Sequence, residues 1–102
     1  MTKLAIILII AAPLTGITLN APASVSGGTT FTADGTSPAG QYGTTITVRD
    51  VNGPLSFTAT WTGNAYTISI TAPNHDPEAA NTITIKVQTA TDSATAKVAI
   101  VP

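Results

Sequence analysis

Residues 55–71, LSFTATWTGNAYTISIT, alternate apolar and polar side chains on both sides of a Gly-Asn pair. A period of two marks strands with one face on a core and the other in water. A two-residue loop that begins with glycine suits a II′ turn, with Gly63 and Asn64 at its centre. That loop sets Trp61 opposite Tyr66, Ala59 opposite Ile68 and Phe57 opposite Ile70, so all six share one face. Ser56, Thr58, Thr60, Thr67 and Ser69 then make the wet face. A slip of one residue would exchange the two faces, so the pattern specifies its own register. Trp61 and Tyr66 are accordingly expected as a cross-strand aromatic pair inside the fold rather than a platform for a sugar. Burial of that kind gives Trp61→Ala an expected cost of roughly 3–5 kcal/mol.

The same logic extends in both directions. NTITIKVQTATDSATAKVAIV, residues 81–101, alternates through Ile83, Ile85 and Val87, turns near Thr91 and Asp92, and alternates again. A two-residue loop there pairs Val87 with Ala96, Ile85 with Val98 and Ile83 with Ile100. Upstream, GITLNAPASV offers Ile17 and Leu19 before Pro22 interrupts, TTFTAD offers Phe31 and Ala33, and TTITVRDV offers Ile46 and Val48. Gly27-Gly28, Asp34-Gly35 with Pro38 and Gly40, Asn52-Gly53-Pro54 and the segment from Pro73 to Pro77 read as turns between these runs. Helical periodicity is absent, although DPEAAN, residues 76–81, suits one short turn. From residue 17 onward this makes about seven short strands some ten residues apart, the pattern of an all-β antiparallel sandwich.

The chain has 102 residues, enough for one core. Charged residues make up 9% of it, against roughly 25% in an average soluble domain, and the formal net charge is −1. Such a surface has no basic stripe to neutralise phosphates, which argues against a nucleic-acid partner. Cysteine is absent, so disulfides and thiolate metal sites are excluded and packing with sheet hydrogen bonds must carry stability.

Candidate chemistry is sparse. His75, Asp76 and Glu78 in APNHDPEA are the residue types that hold a divalent cation. Asn, Asp, His and Pro are equally the residues that build turns, and the loop is read that way. Asp34, Asp50, Asp76 and Asp92 are loop carboxylates of the kind that bind calcium, but they show no ligand spacing. A hydrolase needs a nucleophile, a base and an orienting group in reach of one another. Only His75 could serve as that base near neutral pH. Neither catalytic residues nor a cofactor or metal is therefore expected.

The opening run TKLAIILIIAAPLTG, residues 2–16, stands apart. It is too short for a membrane-spanning helix, which needs about twenty apolar residues, so no membrane is expected as a partner. Lys3, the apolar core and APA at 21–23 resemble a secretory signal. Cleavage there would remove Ile17 and Leu19, the first strand of the sandwich. As an extended strand, Leu4, Ile6, Leu8 and Ile10 point one way while Ala5, Ile7, Ile9 and Ala11 point the other. A strand apolar on both faces is one that is covered on both faces. Exposing its six Leu and Ile side chains would forgo about 10 kcal/mol, as much as the stability of a whole domain. The sequence thus divides into an apolar arm, 1–16, and a sandwich, 17–102, and Leu4, Ile6, Ile7, Leu8, Ile9 and Ile10 are the expected subunit-interface residues.

ITLNAPASVSGGTTFTADG, residues 17–35, resembles the opening of immunoglobulin-like modules in bacterial surface proteins and bacteriophage virion proteins. ANTITIKVQTATDSATAKVAIV, 80–101, is similar to their last hairpin. Antibody-type features are missing: there is no Cys pair, Trp61 lies on a central hairpin, and Asn81 stands about where a corner tyrosine would be. The resemblance implies an immunoglobulin-like β-sandwich acting as a non-enzymatic structural subunit of a virion, such as a capsid decoration or accessory protein, with other protein subunits as partners. The same resemblance fits a secreted or cell-surface binding module, with surface carbohydrate as a ligand, or a filament subunit whose N-terminal segment is a signal or a donated strand.

Overall fold

The computed structural model describes residues 16–76 and 81–102. Among the described residues nine strands follow one another: β1 (Thr18–Asn20), β2 (Ser24–Ser26), β3 (Thr30–Thr36), β4 (Thr45–Asp50), β5 (Gly53–Pro54), β6 (Phe57–Thr62), β7 (Ala65–Thr71), β8 (Thr82–Gln88) and β9 (Ser93–Val101). One 3-10 turn, Gln41–Gly43, lies between β3 and β4. Sheet I has the order β1-β3-β7-β6, and sheet II the order β2-β9-β8-β4-β5. Each of the seven runs expected from the sequence is a strand; β5 is additional, and the first run is split in two.

The split has a chemical cause. Pro22 has no N–H to give a ladder, so the chain leaves sheet I after β1 and re-enters the structure on sheet II. There β2 runs parallel to the end of β9, with Ser24, Val25 and Ser26 beside Ala99, Ile100 and Val101. All other pairings are antiparallel.

Between the sheets lies a core built by alternation. On β7, Tyr66, Ile68 and Ile70 are buried; on β8, Ile83, Ile85 and Val87; on β9, Val98 and Ile100; on β4, Val48. Each fully buried aliphatic contributes about 1.5–3 kcal/mol of transfer free energy. Every inward position on the two central strands, β7 and β8, is therefore occupied by a residue that water does not reach.

The β6–β7 register is Phe57 to Ile70, Ala59 to Ile68 and Trp61 to Tyr66, as the alternation dictates. Gly63 takes φ +61°, the left-handed value that a primed hairpin turn requires at its first central residue. The last hairpin differs from expectation by two residues: Ile83 pairs with Val98, Ile85 with Ala96 and Val87 with Ala94. Its loop has four residues, 89–92, because Thr89 organises it. The Thr89 N–H donates to the Asp92 carbonyl (2.8 Å), and the Thr89 hydroxyl accepts from the Asp92 N–H (3.1 Å). A shift of two leaves every side chain on its original face, so the core is unaffected.

Asp34-Gly35 is not a turn. Both residues lie inside β3, paired with Asn20 and Leu19 on one side and with Thr67 and Tyr66 on the other. Glycine within a strand marks a close approach. A Cβ on Gly35 would run into the Thr18 carbonyl and the Tyr66 hydroxyl, which meet over it.

Candidate interaction surface

Tyr66 is the residue on which one end of the sandwich is organised. Its ring is buried and its hydroxyl donates to the Thr18 carbonyl at 2.6 Å, tying β1 to sheet I. Burial, with the Asp34 carboxylate nearby, pushes its phenol up to about 12. Trp61 lies across the hairpin with ring centroids 5.3 Å apart and a 47° tilt. With Tyr66 enclosed, the pair presents no open double face to a sugar.

Trp61 is only half-buried, and so is Phe57, while Ala59 between them is exposed. The expectation of a fully buried Trp61 is thereby corrected. Among the described residues β6 is the terminal strand of sheet I, with β7 on one side and no strand on the other. No periodicity in a sequence reports strand order, so the alternation that placed these residues on the inner face could not show that this face is open at the edge.

Three features meet at the end where β6 finishes. The described chain enters at Gly16, which packs beside Pro38. Ser37 donates its N–H to the Asn64 carbonyl at 2.8 Å, so the 37–44 loop lies on the Gly63-Asn64 turn. In that loop Ser37 is buried with its hydroxyl 2.7 Å from that of Thr44, and Tyr42 is 97% exposed. The first strand, the exposed tyrosine and the C-terminal end of β6 thus share one end of the molecule. SPAGQYGT, 37–44, carried this signal in the sequence as an aromatic within a Gly- and Pro-marked loop.

The two outer faces differ in chemistry. Sheet I presents hydroxyls in register: Thr18, Thr36 and Thr62 with Ala65, then Asp34, Thr67 and Thr60, then Thr32, Ser69 and Thr58. Sheet II presents Arg49, Lys86 and Lys97, all exposed, in two adjacent rows across β4, β8 and β9.

The remaining sequence candidates separate. Leu4, Ile6, Ile7, Leu8, Ile9 and Ile10 lie outside the described residues, as do Glu78 and most of the expected 76–81 turn. His75 is half-buried and Asp76 exposed. The Asp76 N–H donates to Asn81 Oδ1 (2.8 Å) while Asn81 Nδ2 donates to the Asp76 carbonyl (2.7 Å), so Asn81 holds this loop as a backbone partner would. Of the four aspartates weighed for calcium, Asp50 and Asp76 line one cavity of about 30 Å³ with Asn52, Asn74 and Asn81. Asp50 caps the following turn through the Asn52 N–H (2.9 Å). Asp34 is in mid-sheet and Asp92 in the 89–92 loop. Among the described residues no three His, Asp or Glu side chains gather as a metal site, and no helix is long and apolar enough to cross a membrane.

No family model matches the chain, and no curated protein matches it in sequence. Solved structures do. The M1 domain from titin superposes with a TM-score of 0.52 at 10% identity, covering 83% of this chain and 92% of that one. The fold is immunoglobulin-like. A twitchin kinase fragment from C. elegans that includes immunoglobulin domains also gives 0.52, at 11% identity over 82% of this chain and 19% of the fragment. A larger C. elegans twitchin kinase region gives 0.48 at 12% identity over 78% of this chain, which spans 14% of that structure. At these identities the likeness is one of fold.

Proposed function

We propose that this chain is a non-enzymatic structural module, an immunoglobulin-like sandwich joined to neighbouring protein subunits through the apolar segment containing Leu4, Ile6, Ile7, Leu8, Ile9 and Ile10, and that it serves as a decoration or accessory subunit of a bacteriophage virion. The observation that carries the reading is the core that the strands of the two sheets build between them. Ile68, Ile70, Ile83, Ile85, Val87 and Val98 are fully buried between the two sheets. Six further Leu and Ile side chains precede those strands in the sequence, and water is a poor environment for them. Low charge and a Thr- and Ser-covered sheet face fit a module packed into an assembly. Two measurements test this. Light scattering of the full chain should give a multiple of 10.3 kDa at micromolar concentration. Intact mass of protein from its native source should retain residues 1–23; their loss would favour a secreted module and overturn the virion reading.

A further inference from the structure

The geometry points to the open edge of β6 as the acceptor for residues 4–11 of a second copy of this chain. This rests on the reading above, in which that segment is the adhesive element, and names the surface it meets.

Exposed strand edges pair with other strands unless they are short, charged, kinked or covered. Among the described residues the outer edges of β1 and β2 are three residues long and β5 two. β9 is uncovered before its pairing with β2 at 99–101, but that stretch carries Lys97. β4 is uncovered only over its first three residues, 45–47, because Leu55 donates its N–H to the Val48 carbonyl and β5 pairs with Arg49 and Asp50. β6 is six residues, Phe-Thr-Ala-Thr-Trp-Thr, with no charge, proline or glycine. It is the long edge that carries no such protection.

The side chains agree with the backbone. Next to β6, the inward residues of β7 are buried; on β6 itself Phe57 and Trp61 are half-covered and Ala59 is open. One further strand with aliphatic residues at every second position would cover that row. Residues 4–11 are uncharged and apolar at both phases of a period of two, and about eight residues match a six-residue edge.

Direction selects the second copy over the chain's own segment. β6 runs toward the Gly63-Asn64 turn, the same end at which Gly16 sits beside Pro38. The chain's own residues 4–11 could lie along β6 only in parallel, after residues 12–16 crossed four strand spacings, about 19 Å. A second copy approaches antiparallel, the arrangement β7 already uses on the other side of β6 and the somewhat more stable pairing per residue.

The chain has no native cysteine, so introduced ones report cleanly. Single cysteines at each position from 4 to 11 in one full-length chain would be mixed, under oxidation, with full-length tagged Thr58→Cys or Thr60→Cys chains. Strand neighbours lie within the separation a disulfide spans, about 4.4–6.8 Å between Cα atoms. Mixed disulfides at alternate positions of 4–11 are the expected result. Preferential bonding to Thr95→Cys on β9 or Thr47→Cys on β4 overturns the β6 assignment while leaving the adhesive segment in place. Bonding confined within doubly substituted single chains overturns the second copy. A full chain that is monomeric and yields no mixed disulfide overturns both this inference and the reading beneath it. As a second variant, Ala59→Lys places a charge at an exposed edge position and should weaken self-association at least about tenfold with an unchanged unfolding midpoint. Unaltered association of that variant contradicts the proposal.

Discussion

Tyr66 and Gly35 are a matched pair: the missing Cβ of one is the space in which the hydroxyl of the other reaches Thr18. Tyr66→Phe removes the donor and should cost about 1–2 kcal/mol, read as a lower denaturant midpoint. Gly35→Ala should cost more, because the added methyl must displace β1 rather than merely lose a bond; an equal or smaller loss would contradict the close approach. The phenol also sets a pH response. It is raised from 10.0 to about 12 in the fold, so between these values the folded state holds a proton that the unfolded state has released. Its contribution is full below pH 10 and declines as pH rises toward 12. A pH series of unfolding midpoints should fall over that window in the parent and fall less in Tyr66→Phe. The alternation around Tyr66 was legible in the sequence. Gly35 was not, because Asp-Gly is also a turn signal and only the neighbouring strands show why glycine is needed there.

Hairpins divide by how their loops are made. The β6–β7 loop is a backbone device, and Gly63-Asn64 announces its length, so every pairing across it follows from the sequence. The β8–β9 loop is a side-chain device, and a threonine among threonines gives no such announcement. Thr89→Ala removes the hydroxyl that holds the Asp92 N–H and should cost about 0.5–1.5 kcal/mol, with chemical-shift changes confined to 88–93; an unchanged midpoint would show that the loop holds without it. Edges were the other unreadable feature. Trp61→Ala should cost about 2 kcal/mol, short of the 3–5 kcal/mol of an enclosed aromatic, because β6 leaves the indole half in water. Measurement by denaturant unfolding separates the two values.

At the scale of the molecule, sheet packing and adhesion are assigned to different parts of the chain. Seven alternating runs and their turns were sufficient to name the sandwich, since each run carries its own facing information. The candidate surface was legible only as surplus apolar area in residues 4–11; the edge that would receive it depends on strand order, which arises from contacts distant in sequence. The central claim is that the sandwich is complete and that residues 1–12 serve assembly. Deleting residues 1–12 tests it most directly, with sedimentation velocity and denaturant unfolding run on the same sample. The account predicts a folded monomer whose unfolding midpoint matches the full chain and which no longer associates; a truncated chain that fails to fold, or one that associates as the full chain does, would contradict it.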